Sequence, residues 1–84
     1  MNPKSVEIII SGRVQGVGFR PFVYNLAKKH NLKGFVTNVE KGVLIRALAD
    51  ETVLEGFYDQ ILTQKPRSSE IIAAQKTEFI STEI

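Results

Sequence analysis

Apolar residues occur in short blocks whose period changes along the chain. Val6–Ser11 (VEIIIS) is rich in β-branched residues and is bounded by polar residues and Gly12, a composition typical of a strand. From Pro21 onward, apolar residues recur on one helical stripe, namely Phe22, Val23, Leu26 and Ala27. The pattern therefore predicts a strand, a short loop and a helix in that order.

Residues at both ends of this helix indicate its limits. Pro21 suits the first helical turn, and its ring is expected to push Arg20 out of the α region. Three residues that suit the negative C-terminal end of the helix dipole occupy the predicted last turn: Lys28, Lys29 and His30. Asn31 is a suitable left-handed stop. His30, the sole histidine, thus lies at the far end of the helix from the first loop, which argues against a role as a general base.

The second half of the chain repeats the alternation of periods. Lys33–Asn38 (KGFVTN) and Val43–Ala49 (VLIRALA) read as strands, and Val39–Gly42 between them is of hairpin-loop size. Asp50 can cap a second helix, with a competing capping box at Thr52 and Glu55. The apolar stripe of that helix comprises Val53, Leu54, Phe57, Ile61 and Leu62. Gln64–Ser69 is a predicted turn, and Ile71–Phe79 is a predicted fourth strand.

The resulting β-α-β-β-α-β order predicts an α+β fold of the ferredoxin-like type. That sandwich has a four-stranded antiparallel sheet with both helices on one face. In the third strand, Leu44 and Leu48 make a second face apolar, opposite the face formed by Val43, Ile45 and Ala47. Part of the sheet is therefore expected to be exposed or covered by a partner.

Composition narrows the classes of function. A chain of 84 residues with 43% hydrophobic residues predicts one small domain. The net charge of +2 is scattered, and the predicted central strands lack the paired aromatics of RNA-binding sheets, so no nucleic-acid partner is expected. Cysteine is absent, which excludes disulfides and thiolate metal sites. No apolar run approaches the roughly 20 residues needed to span a bilayer, so the prediction is a cytoplasmic protein without a membrane partner.

The loop SGRVQGVGFRPF, residues 11–22, carries the candidate chemistry. A glycine-rich turn between a strand and a helix N-terminus can direct several backbone N–H groups at a phosphate. Gly12, Gly16 and Gly18 permit the unusual backbone angles, and Arg20 can add a planar guanidinium. Glycine spacing alone leaves a purely structural turn equally plausible, since short glycine motifs recur by chance.

A longer stretch, GRVQGVGFRPFVYNLAKKHNLKGFVTN, resembles the signature region of the acylphosphatase family. The core VQGVGFR and the downstream GFVTN carry the resemblance. The proline and phenylalanine that follow Arg20 most resemble the N-terminal domain of HypF-type carbamoyltransferases of hydrogenase maturation. The resemblance implies hydrolysis of the carboxyl–phosphate bond of small acyl phosphates, or of carbamoyl phosphate within a larger protein. Inorganic phosphate is then the product and a competitive ligand, and neither a metal nor a cofactor is implied.

The resemblance also implies specific site residues. Arg20 and Asn38 correspond to the catalytic arginine and asparagine. The implied phosphate-binding loop comprises Gly12, Arg13, Val14, Gln15, Gly16, Val17 and Gly18. Many acylphosphatases carry a threonine after the asparagine, whereas Val39 follows it here. This difference concerns the orientation of Asn38.

An alternative function is a non-catalytic phosphate-binding or protein-interaction module of a larger protein. Family members usually continue after the fourth strand into a short fifth strand. Too few residues follow Phe79 for a loop and that strand, so the expectation is an excised domain or a shortened member with an unpaired sheet edge.

Overall fold

The computed structural model describes residues 4–40 and 42–79, and the elements follow the predicted order. They are β1 (Lys4–Arg13), α1 (Phe19–Lys29), β2 (Lys33–Val39), β3 (Gly42–Ala49), α2 (Glu51–Thr63) and β4 (Glu70–Phe79). The strands form one sheet in the order β2-β3-β1-β4, with every neighbouring pair antiparallel. The predicted α+β, ferredoxin-like fold is confirmed.

The core lies between one face of the sheet and both helices. Alternate residues of the two central strands are buried there: Val6, Ile8, Ile10, Val43, Ile45 and Ala47. The helices bury the apolar residues Phe19, Val23, Leu26, Leu54, Phe57 and Ile61 against them. The apolar residues that recur every second position in β1 and β3 and at helical spacing in α1 and α2 thus pack into a single cluster. A short chain needs such a shared core, because it buries a smaller share of its surface than a long chain does.

The face of the sheet opposite the helices is also partly apolar, as predicted. Ile9 and Leu44 lie opposite each other across β1 and β3, and both are half-buried. Phe35 on β2 is 49% exposed. Beside them, Arg46 Nη2 forms an ion pair of 3.0 Å with Glu7. This face is a mixed surface rather than a fully polar one.

The hairpin between β2 and β3 is tighter than predicted. Val39 and Gly42, expected in the loop, are instead the last residue of β2 and the first of β3, and they lie opposite each other in the register. Pairing across the sheet extends the strands beyond their apolar cores, and β1 likewise gains Lys4 and Arg13 at its ends. The extra pairs bring the end of β2 close to the loop after β1.

The start of α1 corrects one prediction. The helix begins at Phe19, so Arg20 is helical and Pro21 is the third helical residue. Pro21 was expected to exclude Arg20 from the α region. A proline in the first turn loses no hydrogen bond, because those N–H groups have no intrahelical acceptor, and the steric bias on the preceding residue is overcome. The backbone of Arg20 is therefore fixed within the first turn of α1.

The other helix ends agree with the pattern in position but not in every contact. Asn31 has φ of 58°, so it is the left-handed stop that was predicted. Asp50 is the N-cap of α2 but makes no side-chain capping bond. Instead, Glu51 in the first turn pairs with Lys4 at 2.7 Å, and this hydrogen bond lowers the pKa of the Glu51 carboxyl and raises that of Lys4.

His30 has a structural partner at the end of α1. Its Nε2 lies 2.8 Å from Oε1 of Gln60 on α2, and its ring meets the edge of Phe57. Within residues 4–40 and 42–79, no helix is long and apolar enough to cross a membrane. The expectation about a missing fifth strand concerns residues after Phe79 and lies outside the described residues.

Candidate active site

The loop between β1 and α1 leaves the start of the helix open. Gly16 and Gly18 have φ of 74° and 80°, left-handed angles that favour glycine. Gly18 is also the N-cap of α1, where a glycine offers no side chain to the first N–H groups. An uncapped helix start keeps its donors and its positive dipole end available to an anion.

A cavity of about 180 Å³ lies at this open helix start. Its lining combines the loop, the first turn of α1 and one residue of β2: Val14, Gln15, Gly16, Gly18, Phe19, Arg20, Pro21 and Asn38. Asn38 pairs with Val43 of β3 near the end of β2, which carries its side chain to the same end of the sheet as the loop. The fold thus brings both predicted catalytic residues, Arg20 and Asn38, to one cavity.

The charges around this cavity are uncompensated. Arg20 is exposed and forms no ion pair or hydrogen bond with any described residue. The first turn of α1 contains no acidic residue, and none lines the cavity. Within the described chain, the backbone N–H groups of Gln15 and Gly16 donate to no protein acceptor. One full positive charge, a helix dipole and unpaired donors therefore converge at this point.

Three residues of the predicted phosphate-binding loop do not line the cavity. Gly12 and Arg13 belong to β1, where they pair with Ile71 and Glu70 of β4 after a shift in register. Val17 packs against the core. The β ladder runs further into the loop than the apolar run indicates, so the part of the predicted loop at the cavity is shorter.

Two loop residues line the cavity while their side chains serve other purposes. Val14 is 1% exposed and fills the core, so its contribution to the site comes from the backbone. The side chain of Gln15 reaches the β2–β3 hairpin. Its Nε2 lies 2.6 Å from the carbonyl oxygen of Val39 and 2.8 Å from that of Gly42.

Sequence reasoning missed two of the lining residues. Phe19 is buried in the core, yet the residue also lines the cavity. Pro21 was considered only as a helix-start residue. The sequence did contain a signal for both residues, because they flank Arg20 in the first helical turn. Residues of that turn are expected to line a site formed at the helix start.

Two larger cavities lie elsewhere, and their polar side chains are less suited to binding an anion. One of about 260 Å³ runs along the seam between α1 and the β2–β3 edge, and its lining is mainly apolar. Its Arg46 is engaged by Glu7. The other, of about 320 Å³, contains His30, whose Nε2 is engaged by Gln60. Neither is lined by the loop glycines or by Arg20. Among the described residues, no cluster of three or more His, Cys, Asp or Glu side chains is placed to hold a metal ion.

Comparison with known proteins decides the family. The model of the family described as Acylphosphatase matches residues 6–83. The chain belongs to the acylphosphatase family. Acylphosphatase from Pseudothermotoga lettingae is 48% identical over 69 residues, which cover 81% of this chain and 78% of that protein. Acylphosphatase from Archaeoglobus fulgidus is 35% identical over 85 residues, covering 95% of this chain and 96% of that protein.

Much longer proteins contain a similar domain. Carbamoyltransferase HypF of a Synechocystis species is 44% identical over 63 residues, which are 75% of this chain and 8% of that protein. The crystal structure of full-length HypF in the phosphate- and nucleotide-bound form matches 98% of this chain and 11% of its own, with a TM-score of 0.93 and 41% identity. The chain therefore spans about a tenth of the HypF relatives that it matches.

Solved acylphosphatase structures share the whole fold. The acylphosphatase from Bacillus subtilis superposes with a TM-score of 0.86 at 38% identity, covering 95% of this chain and 89% of its own. Family members of both lengths thus have the same arrangement of β1 to β4 around two helices.

Proposed function

We propose that the protein is an acylphosphatase that hydrolyses small acyl phosphates at the cavity formed by the loop, Arg20 and Asn38. The observation that carries the proposal is the joint lining of one cavity by an uncapped helix start, an arginine without a partner among the described residues, and an asparagine from β2. Membership of the acylphosphatase family supports the same reaction.

In the proposed reaction, a water oxygen attacks phosphorus and the bond between phosphorus and the acyl oxygen breaks. The electron pair of that bond leaves with the carboxylate, and the water proton passes to a non-bridging phosphate oxygen. The products are a carboxylate and inorganic phosphate. Carboxylates are weak bases, with a pKa of about 4, so the leaving group needs no general acid. The reaction then depends mainly on positioning and on charge stabilisation.

The residues of the cavity divide this task. The guanidinium of Arg20 and the N–H groups of Gln15 and Gly16 stabilise the phosphoryl oxygens through charge-assisted hydrogen bonds. Asn38 approaches from β2, and its amide can both accept from and donate to the attacking water. Val39, which replaces the threonine common in the family, contributes its backbone carbonyl to the Gln15 contact.

The substrate is small. A cavity of about 180 Å³ is below the roughly 300 Å³ at which sites for drug-sized ligands begin, so it suits a phosphoryl group with a short acyl part. We include carbamoyl phosphate as a candidate, within a larger HypF-type protein, because HypF relatives contain this domain. The cytoplasmic location expected from the sequence stays a prediction.

The alternative is a non-catalytic module, and the partly apolar face of the sheet opposite the helices favours this function. Ile9, Leu44 and the exposed Phe35 give that face enough apolar surface to contact another domain. In that case the cavity would bind phosphate without turnover, and the apolar face would be the functional surface.

The release of phosphate from acetyl, benzoyl and carbamoyl phosphate distinguishes these functions. We expect saturable release from at least one of them, competitive inhibition by inorganic phosphate, and no release from an alkyl phosphate, whose alkoxide leaving group needs an acid. Phosphate binding without turnover of any acyl phosphate would favour the non-catalytic module.

A further inference from the structure

The side chain of Gln15 links the loop to the hairpin beside Asn38. Its Nε2 is within hydrogen-bond distance of the carbonyl oxygens of Val39 and Gly42. A primary amide nitrogen has two N–H groups, so one can serve each carbonyl. The opposite amide orientation would place Oε1 against two other oxygens, so the assignment of the nitrogen follows from chemistry.

This pair of contacts uses all the donors of the Gln15 side chain. A phosphate accepts hydrogen bonds, and the remaining Oε1 also only accepts, so the side chain has nothing to offer the ligand directly. The backbone N–H of Gln15 stays unpaired within the described residues. The backbone and side chain of this residue therefore serve different purposes.

The link matters because the two halves of the site belong to separate elements. The loop lies before α1 and Arg20 lies in its first turn, whereas Asn38 lies near the end of β2. Among the described strands, β2 is at the edge of the sheet and pairs with β3 alone. Val39 is the next residue after Asn38, and Gly42 is its partner across the hairpin. Holding both carbonyls fixes the end of β2 relative to the loop.

We propose that Gln15 is a positioning residue that sets the placement of Asn38 relative to the bound phosphoryl group. The inference rests on the proposed function, because it assigns Gln15 a role in the geometry of water attack. Misplacing a reacting or catalytic group by about 1 Å can lower the rate by about 100-fold. A link that fixes the two halves of the site relative to each other can therefore affect the rate strongly.

Gln15→Met removes both donors at nearly constant length, and Gln75→Met on β4 is the matched control, since Gln75 is exposed and away from the cavity. We expect Gln15→Met to lower kcat for benzoyl phosphate about tenfold, while the inhibition constant of inorganic phosphate changes less than threefold. Gln75→Met should change neither constant.

A double-mutant cycle separates positioning from general support of the loop. In the Asn38→Ala background, Gln15→Met should change kcat less than twofold, because the group that it positions is gone. A tenfold loss in both backgrounds, or an unchanged kcat in the wild-type background, would overturn the proposal.

A measurement on the unmodified protein does not depend on turnover or on the folding of a variant. Hydrogen exchange of the side-chain amides, followed by NMR, should show both Nε2 hydrogens of Gln15 protected relative to those of Gln75. Equal exchange would overturn the link even if the enzyme is active. An inactive protein with a protected Gln15 amide would instead count against the proposed function alone.

Discussion

Asn38 and Arg20 reach the same cavity from different elements, and their side chains suit different partners. The guanidinium of Arg20 only donates hydrogen bonds, which matches phosphate oxygens. The amide of Asn38 both donates and accepts, which matches a water molecule. Arg20 is therefore expected to govern phosphate binding, and Asn38 the rate of attack.

We predict that Asn38→Ala lowers kcat for benzoyl phosphate by about 100-fold, the size of effect seen when one group that stabilises a transition state is removed. The inhibition constant of inorganic phosphate should change less than about threefold. Asn25→Ala, an exposed position on α1, is the control and should leave both constants unchanged. Comparable losses in kcat and in phosphate affinity would mean that Asn38 contacts the phosphoryl group or supports the fold.

Single residues also show where the sequence was sufficient and where it was not. Arg20 and Asn38 were identified from the family pattern, and the structure brings them to one cavity. Arg13 was predicted in the phosphate-binding loop, yet it belongs to β1, as Gly12 does, and it does not line the cavity. Its position in β1 depends on pairing with β4, some 57 residues away in the chain, for which the local pattern carries no signal.

At the scale of elements, the glycines have separable roles. Gly12 has φ of 132°, and a Cβ there would collide with the carbonyl oxygen of Glu70 on β4. Gly56 lies inside α2 with open space around it and no positive φ. A methyl group therefore meets backbone at the first position and nothing at the second.

We predict that Gly12→Ala lowers the free energy of unfolding by at least about 2 kcal/mol, through strain and collision. Gly56→Ala should raise it by roughly 0.5–1 kcal/mol, since alanine favours a helix interior. Thermal unfolding measures both, because 1 kcal/mol corresponds to about 4–8 °C in Tm for a domain of this size. A stable Gly12→Ala variant would show that β1 and β4 are less closely apposed than the structure has them.

Periodicity predicted every element. β1, β3 and both helices bury apolar stripes in a single core, whereas β2 and β4 contribute only partly buried residues, namely Val36, Ile71 and Ala74. The ends were less accurate, since hydrogen-bonded pairing rather than side-chain burial sets them. β1 extends to Lys4 and Arg13, and the β2–β3 hairpin tightens to the pair of Val39 and Gly42. The helix α1 begins at Phe19, before Pro21, because a proline in the first turn costs little helix stability.

At the scale of the whole molecule, the proposed active site depends on contacts between distant parts of the chain. The link from Gln15 to Val39 and Gly42 spans 24 and 27 residues. No local pattern predicts a side-chain hydrogen bond over that separation. The family resemblance therefore implied only a phosphate-binding role for Gln15. The fold as a whole was predictable since it follows from the order of elements, whereas the geometry of the site follows from how those elements pack.

The most direct test of the central claim is the hydrolysis of benzoyl phosphate by Arg20→Ala and Arg13→Ala, measured as phosphate release beside the wild-type chain. Both changes remove one arginine from the same short segment, but only Arg20 lines the cavity. We predict that Arg20→Ala loses at least about 100-fold in kcat/KM and no longer responds to inorganic phosphate, whereas Arg13→Ala stays within about threefold of wild type. Retained turnover in a folded Arg20→Ala variant, or equal losses in the two variants, would contradict the assignment of this cavity as the active site.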